Sequence, residues 1–199
     1  MLFSSTTFLF GFLSLVLLSY YVVPRFLKNA VLLVFSLVFY AWGEPVYVFL
    51  MMGSIIVAYV TGLLCDREKY KTKLPLVSMI FAIVWNMGLL LFFKYTNFFI
   101  TNANNLLDLN ITPLDLTLPI GISFYSFQTL SYVIDVYRGE VRPQKNFLNL
   151  AAYVTLFPQL IAGPIVRYKT IEEQLGSRRE SLDQFARGVK RFSVGLAKR

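Results

Sequence analysis

The chain has 199 residues, of which 56% are hydrophobic and only 15% are charged, and its mean hydropathy is +0.59. Soluble domains carry about a quarter charged residues, so this composition excludes an ordinary soluble domain and predicts an integral membrane protein. The net charge of +8 comes from Lys and Arg in short segments between apolar blocks, a pattern typical of membrane topology and not of nucleic-acid binding.

Two residue types limit the chemistry that this chain can perform. It contains no His, which removes the commonest general base and the imidazole metal ligands. Its single Cys excludes an internal disulfide, and Cys65, at the end of an apolar block, is interpreted as a packed thiol. We therefore expect no metal site, no Ser-His-Asp set and no bound cofactor within these residues.

The first half of the chain consists of four apolar blocks. Residues 8–23 lack both the preceding positive charge and the small-residue cleavage site of a signal peptide, so an uncleaved membrane helix is favoured. The blocks at 29–42 and 46–64 are separated by Gly43-Glu44-Pro45 and form either a tight hairpin or one broken helix. The fourth block covers 74–93.

The composition then changes between residues 101 and 118. This region is rich in Asn, includes Asp108 and Asp115, and contains no Lys or Arg. We expect an exposed loop there, with at most a short interfacial helix. A fifth apolar block follows at 119–137.

The positions of the basic segments predict the topology. Segments 24–29, 65–73 and 138–146 are basic and should be cytoplasmic, which gives five spans with the N-terminus outside the inner membrane. A full crossing by the sixth block, 147–166, would place the basic tail 167–199 outside. Because Pro and Gly also interrupt this block, we predict a re-entrant segment that enters and leaves on the cytoplasmic side.

The tail contains two patterns that start helices. Thr170–Glu173 and Ser177–Glu180 each fit a capping box, and Gly176 should end the first helix. The second helix, 177–199, is basic and has one apolar stripe: Leu182, Phe185, Val189, Phe192 and Leu196. It is interpreted either as an amphipathic helix on the cytoplasmic membrane surface or as a helix docked on the rest of a larger protein.

The fifth block carries the most informative polar residues. Gln128, Ser131, Asp135 and Arg138 recur at spacings of three and four, which places them on one face of a helix. Polar side chains in a membrane segment are costly unless they are paired or line a wet pathway. Asp135 therefore either helps to line a substrate pathway or pairs with Arg138, and Gln128 either lines the pathway or ties helices together.

The sixth block supplies two further candidates. A broken segment exposes free backbone groups near Gln159, and Arg167 either holds a phosphate-bearing donor or anchors the interface. We predict a substrate pathway lined by six residues: Tyr125, Gln128, Ser131, Asp135, Gln159 and Arg167. The predicted fold is an all-α, polytopic transmembrane helix bundle of about five spans plus the re-entrant segment, with the basic amphipathic helix at its C-terminal side.

Three stretches resemble the membrane-bound O-acyltransferase family, and within it the alginate O-acetyltransferase branch. They are Phe39-Tyr-Ala-Trp-Gly-Glu-Pro45, the long stretch from Leu118 to Gly139, and Phe157-Pro-Gln-Leu-Ile-Ala-Gly-Pro-Ile-Val-Arg-Tyr168. The opening Met-Leu-Phe-Ser-Ser also resembles that branch, and the likeness extends through the whole chain.

The resemblance implies transfer of an acyl group from a cytoplasmic donor, acetyl-CoA or another acyl carrier, to hydroxyls of an extracytoplasmic polysaccharide such as alginate. Expected partners are membrane lipid, the acyl donor, and an acceptor protein or polysaccharide. Family members are about twice this length or more, and their key His has no counterpart here. Residues 1–199 are thus expected to form the N-terminal part of one transmembrane domain, from a truncated gene model or a split protein. Alternatives are D-alanyl transfer to teichoic acid and a non-catalytic scaffold or transporter.

Overall fold

The computed structural model describes residues 5–107, 110–114, 117–164, 166–176, 178 and 181–197, and within these ranges it contains helices but no β-strand. A π-helical segment, Thr7–Leu13, leads into α1 (Ser14–Val22), and a 3₁₀ turn at Arg25–Leu27 leads into α2 (Lys28–Gly43). The remaining helices are α3 (Tyr47–Leu64), α4 (Leu74–Leu107), α5 (Ile122–Arg138), α6 (Phe147–Thr155), α7 (Phe157–Ala162), α8 (Tyr168–Gly176) and α9 (Leu182–Ala197). The predicted all-α fold is confirmed.

Several of these helices are suited to a membrane. Among the described residues, three helical stretches are long and apolar enough to cross a bilayer: Arg25–Gly43, Tyr47–Leu64 and Leu74–Leu106. The first two are separate helices, so the hairpin alternative for residues 43–45 is the correct one. The apolar helix Thr7–Val22 is shorter, and α5 has only 17 residues. The chain is thus a membrane protein, and the count of five spans stays a prediction.

The most polar of the long helices lies at the centre of the bundle. Helix α5 packs against α3, α4, α6, α7 and α8, and nine of its 17 residues are buried. In contrast, only 17–33% of the residues in the three apolar spans are buried inside the protein. Apolar side chains therefore cover the outside of the bundle and polar side chains lie inside it, which is the distribution that a lipid environment requires.

The three basic segments 24–29, 65–73 and 138–146 lie at one end of the bundle, called here the basic end. In the first segment, the side-chain amide N–H of Asn29 donates to Oδ1 of Asn149 at 2.7 Å. The Tyr59 hydroxyl donates to the carbonyl oxygen of Lys145 at 2.7 Å. The guanidinium of Arg67 lies 5.0 Å from the ring centre of Tyr137.

The connection between α2 and α3 meets the chain that precedes α5 at the opposite end of the bundle. The Tyr40 hydroxyl, near the end of α2, donates to the carbonyl oxygen of Ile120 at 3.0 Å. The Tyr47 hydroxyl, at the start of α3, donates to the carbonyl oxygen of Thr117 at 3.0 Å. Helices α2 to α5 therefore run alternately up and down between the two ends, in the order that the charge pattern predicts.

The segment from 147 to 166 leaves the basic end and returns to it. Asn149 lies beside α2 at the basic end, whereas Leu160 packs against Gly121 at the opposite end, where a Cβ would lie 3.1 Å from the Leu160 carbonyl oxygen. The chain then turns back, and the Tyr153 hydroxyl donates to the carbonyl oxygen of Val166 at 2.7 Å. A re-entrant segment would follow this path, although its depth in a bilayer stays a prediction.

The segment is interrupted at two places: at Leu156, ahead of the interruption expected at Pro158, and at Gly163 and Pro164, where α7 ends as expected. Pro158 instead occupies the first turn of α7, where its missing N–H has no helical partner to lose. The N–H of Phe157 donates to the hydroxyl of Ser36 on α2 at 3.2 Å. Helix α2 therefore satisfies a backbone group that the break exposes.

The prediction of a loop from residue 101 is wrong at its start, because α4 continues to Leu107. Asn side chains of α4 hold the returning segment of the chain against the helix, and one of them, Asn104, belongs to the region that was expected to be a loop. The side chain of Asn97 exchanges two hydrogen bonds with the backbone of Leu114, at 2.8 and 3.0 Å. Asn104 does the same with Ile111, at 2.8 and 3.0 Å. Asp108 and Asp115 lie outside the described residues.

The first tail helix starts earlier than expected, and the second is described from Leu182. Helix α8 begins at Tyr168, so Thr170 lies inside it and does not cap it, while Gly176 does end it. Helix α9 begins at Leu182, where the Ser181 hydroxyl accepts the N–H of Gln184 at 3.2 Å. This capping pair was missed in the sequence. The helix start predicted at Ser177 is not tested, because Ser177, Arg179, Glu180, Lys198 and Arg199 lie outside the described residues.

The Cys65 thiol is packed, as expected. Its side chain is fully buried, and the sulfur donates to the carbonyl oxygen of Pro75 at 3.5 Å. Burial raises the pKa of Cys65 to about 11. The thiol is therefore neutral at physiological pH, which makes it a poor nucleophile.

Gly62 on α3 lies directly against Tyr132 of α5, and this contact provides a test of the packing. A Cβ at this position would lie 2.7 Å from Cε1 of the fully buried Tyr132, whereas a Cβ at Gly53 on the same helix would meet nothing within 4 Å. We expect Gly62→Ala to destabilise the chain by about 1–3 kcal/mol through overpacking. Gly53→Ala should be neutral or stabilising, since Ala favours helix. Thermal unfolding of both variants in detergent measures the difference, and equal midpoints would contradict this packing.

Candidate functional site

The buried carboxylate of Asp135 forms an ion pair with Arg167. The Asp135 side chain is 3% exposed and the Arg167 side chain 51% exposed. Nε of Arg167 donates to Oδ2 of Asp135 at 3.2 Å, and Nη2 donates to Oδ1. This two-point contact joins the end of α5 to the residue that precedes α8, at the basic end of the bundle.

Arg167 also contacts a second carboxylate. Its Nη2 lies 3.0 Å from Oε2 of Glu140, which Lys169 approaches at 3.8 Å. The hydrogen bond with Asp135 raises the pKa of the Arg167 guanidinium above its usual range. Since two carboxylates already occupy this guanidinium, the geometry favours its anchoring role over the binding of a phosphate.

The sequence offered Arg138 as an alternative partner of Asp135, and this prediction is wrong. Arg138 follows Asp135 by three residues, but its side chain is 64% exposed and lies 3.9 Å from Glu140. Asp135 faces the interior of the bundle, where the chain returning from α7 brings Arg167 to it. A contact between residues 32 positions apart replaces the local one.

Gln128 and Ser131 are committed to contacts within the protein. Gln128 is buried and donates its Nε2 to the carbonyl oxygen of Tyr153 at 3.0 Å, which ties α5 to α6. The half-buried Ser131 donates to the carbonyl oxygen of Gln128 at 2.9 Å. The structure thus shows the helix-tying contact that the sequence left as an alternative for Gln128.

Tyr125 and Gln159 carry polar atoms that find no partner. The Tyr125 hydroxyl and the Nε2 atom of Gln159 are buried, and neither has a hydrogen-bond partner among the described residues. Unpaired buried polar atoms are rare and costly in native proteins, so each calls for an explanation. Both belong to the predicted pathway, and a polar substrate group would supply the missing contact.

A cluster of tyrosines beneath the ion pair was missed in the sequence. The rings of Tyr132 and Tyr153 lie 5.0 and 5.3 Å from the ring of Tyr168, in edge-to-face contacts. Gln144 donates its backbone N–H to the Tyr132 hydroxyl at 2.9 Å and its amide to the Tyr168 hydroxyl at 2.6 Å. Burial raises the pKa of Tyr168. No spacing within one helix predicts this cluster, because its three tyrosines come from α5, α6 and α8.

The predicted pathway residues fall into two groups. Asp135, Arg167, Gln128 and Ser131 are held by contacts within the protein, whereas the Tyr125 hydroxyl and Nε2 of Gln159 have no hydrogen-bond partner among the described residues. No group of three His, Cys, Asp or Glu side chains in the described part of the chain could hold a metal ion. A continuous path through the six residues stays a prediction.

Comparison with known proteins finds enzymes whose sequences are similar to this chain. The chain is 39% identical to the probable alginate O-acetylase AlgI of Pseudomonas aeruginosa and 38% identical to that of Azotobacter vinelandii. Both alignments include the whole of this chain. The chain is similar throughout to alginate O-acetylases. The resemblance inferred from the three sequence stretches is confirmed.

A more distant relative has a different acceptor in its name. The chain is 31% identical over its full length to the peptidoglycan O-acetyltransferase of Helicobacter pylori. It spans only 39%, 41% and 44% of the length of these three relatives. No protein-family model matches the chain, and no solved structure matches it.

The Asp135–Arg167 pair can be tested by removing one partner. Arg167→Gln leaves a buried carboxylate without its charge partner, so we expect the thermal midpoint to fall by several degrees. Arg138→Gln removes the same charge from an exposed position and should change the midpoint little. The double variant Asp135→Asn/Arg167→Gln should recover part of the loss. Equal midpoints for the two single variants would refute the assigned pairing.

Proposed function

We propose that this chain forms part of a membrane O-acetyltransferase. The enzyme would move an acetyl group from a cytoplasmic donor, acetyl-CoA or another acyl carrier, to hydroxyl groups of an extracytoplasmic polysaccharide such as alginate. Residues 167–199 would lie on the cytoplasmic side of the inner membrane and the N-terminus outside. Partners would be lipid, the acyl donor, and a polysaccharide or an acceptor protein.

The observation that carries this proposal is the similarity, along the entire chain, to proteins named alginate and peptidoglycan O-acetyltransferases. The structure adds support, since the basic segments share one end of a bundle whose outer helices are apolar. By the positive-inside rule that end would face the cytoplasm, where the donor is found.

The chemistry limits what these residues contribute. In acetyl transfer the acceptor oxygen forms a bond to the carbonyl carbon, the bond to the donor breaks, and a base takes the hydroxyl proton. The chain has no His, and the carboxylate of Asp135 is held by Arg167. We therefore propose that these 199 residues line the acyl pathway and that the base is supplied by residues outside them.

A chimera tests the function. The aligned part of AlgI from P. aeruginosa would be replaced by this chain and expressed in a strain whose alginate lacks acetyl groups. We expect acetate esters to return to the secreted alginate, because the alignment of the two sequences includes the whole of this chain. The purified 199-residue chain alone should give only background transfer.

The outcome that would overturn the proposal is a chimera present in the membrane in normal amount, shown by immunoblot, that forms no acetate esters. That result would favour a scaffold or transport role. D-alanine esters on a teichoic acid acceptor would instead point to the related transfer reaction.

The pathway role of Tyr125 is tested in the active chimera. Tyr125→Phe removes a buried hydroxyl that has no partner among the described residues, so stability should hold or rise. If the hydroxyl contacts the moving acyl group, transfer should fall by about tenfold, the value of one hydrogen bond. Ser54→Ala on α3 removes another unpaired buried hydroxyl outside the predicted pathway and serves as the matched control. Full activity in Tyr125→Phe would show that the Tyr125 hydroxyl does not contact the moving acyl group.

A further inference from the structure

The loop between α3 and α4 encloses a cavity of about 360 Å³ at the basic end. Its lining combines three cationic side chains with aromatic and hydroxyl groups: Arg67, Lys71, Lys73, Tyr70, Thr72 and Tyr137. Tyr137 belongs to α5, two residues after Asp135. The cavity therefore opens beside the central helix, and not on a detached surface loop.

The acidic residues of the loop do not neutralise this cavity. Asp66 is engaged locally, because its Oδ1 accepts the backbone N–H groups of Glu68 and Lys69 at 3.1 and 3.2 Å. Neither Asp66 nor Glu68 lines the cavity. Within the described part of the chain, no carboxylate forms an ion pair with any of the three lining cations.

The cationic groups are also partly held in place. The guanidinium of Arg67 lies over the ring of Tyr137, with Cζ 5.0 Å from the ring centre, and this cation–π contact helps to hold it in place. Thr72 accepts the N–H of Leu74 at 3.3 Å, so the first turn of α4 begins at the cavity and adds the partial positive charge of a helix start.

We propose that this cavity binds a phosphate ester through Arg67, Lys71 and Lys73. Three uncompensated cations beside a helix start are suited to a group with two or more negative charges. The phosphate could belong to a soluble molecule or to the headgroup of an anionic lipid. Arg167, the earlier candidate for this role, lies at the same end but is already bound by two carboxylates.

The test measures binding and does not depend on acetyl transfer, so its failure would leave the proposed function untouched. The full 199-residue chain is placed in nanodiscs of phosphatidylcholine and titrated with pyrophosphate by calorimetry. We expect saturable binding at one site. Arg67→Gln/Lys73→Gln should raise the Kd by at least about tenfold, since each charge-assisted hydrogen bond contributes about that factor.

The matched control is Arg142→Gln/Lys145→Gln. It removes the same two charges from exposed positions at the same end of the bundle, outside the cavity. This control should keep the wild-type Kd. An equal loss of binding in both double variants would show attraction to a basic surface and would overturn the proposal. Circular dichroism of each variant confirms that the helices are retained.

The second arm identifies the source of the phosphate. Nanodiscs with phosphatidylglycerol are compared with phosphatidylcholine alone, and co-purifying lipid is measured by mass spectrometry. Pyrophosphate binding in phosphatidylcholine supports a soluble phosphate ester. Phosphatidylglycerol enrichment that is lost only in the cavity variant, without pyrophosphate binding, supports a lipid headgroup. If neither probe binds, the cavity has no phosphate site and the basic loop acts only in membrane orientation.

Discussion

A carboxylate cannot remain unpaired inside an apolar helix bundle, and the pairing of Asp135 with Arg167 satisfies this constraint. The pair requires the chain that leaves the basic end as α6 to come back after α7, because Arg167 follows that excursion. The path of residues 147–166, the position of α8 and the tyrosine contacts around Tyr168 all depend on the same return.

The bundle places its polar groups where solvent and lipid are both excluded. Helices α2, α3 and α4 expose apolar side chains, while α5 is enclosed by five neighbours and carries Gln128, Thr129 and Asp135 inward. The Thr129 hydroxyl donates to Asn86 of α4 at 2.9 Å and so joins these two helices. Among the described residues, four buried side-chain polar atoms have no hydrogen-bond partner, and two of them belong to the predicted pathway.

Local sequence patterns predicted helices well and long-range contacts poorly. The interruption at Gly43–Pro45 and the end of α8 at Gly176 were predicted from turn chemistry that operates over a few residues. The extension of α4 was hidden because Asn97 and Asn104 bond to a segment that a window of sequence does not include. The partner of Asp135 was missed for the same reason: Arg167 lies 32 residues away, beyond two helices.

The position of Arg167 after Asp135 in the chain also has a consequence for biogenesis. A ribosome makes α5 before it makes the arginine, so the aspartate must enter the insertion machinery without its counter-ion. Helix α5 is less apolar than α2, α3 and α4 and is poorly suited to partition into lipid by itself. Its stable insertion is therefore expected to depend on residues that follow it in the chain, after the placement of α2, α3 and α4.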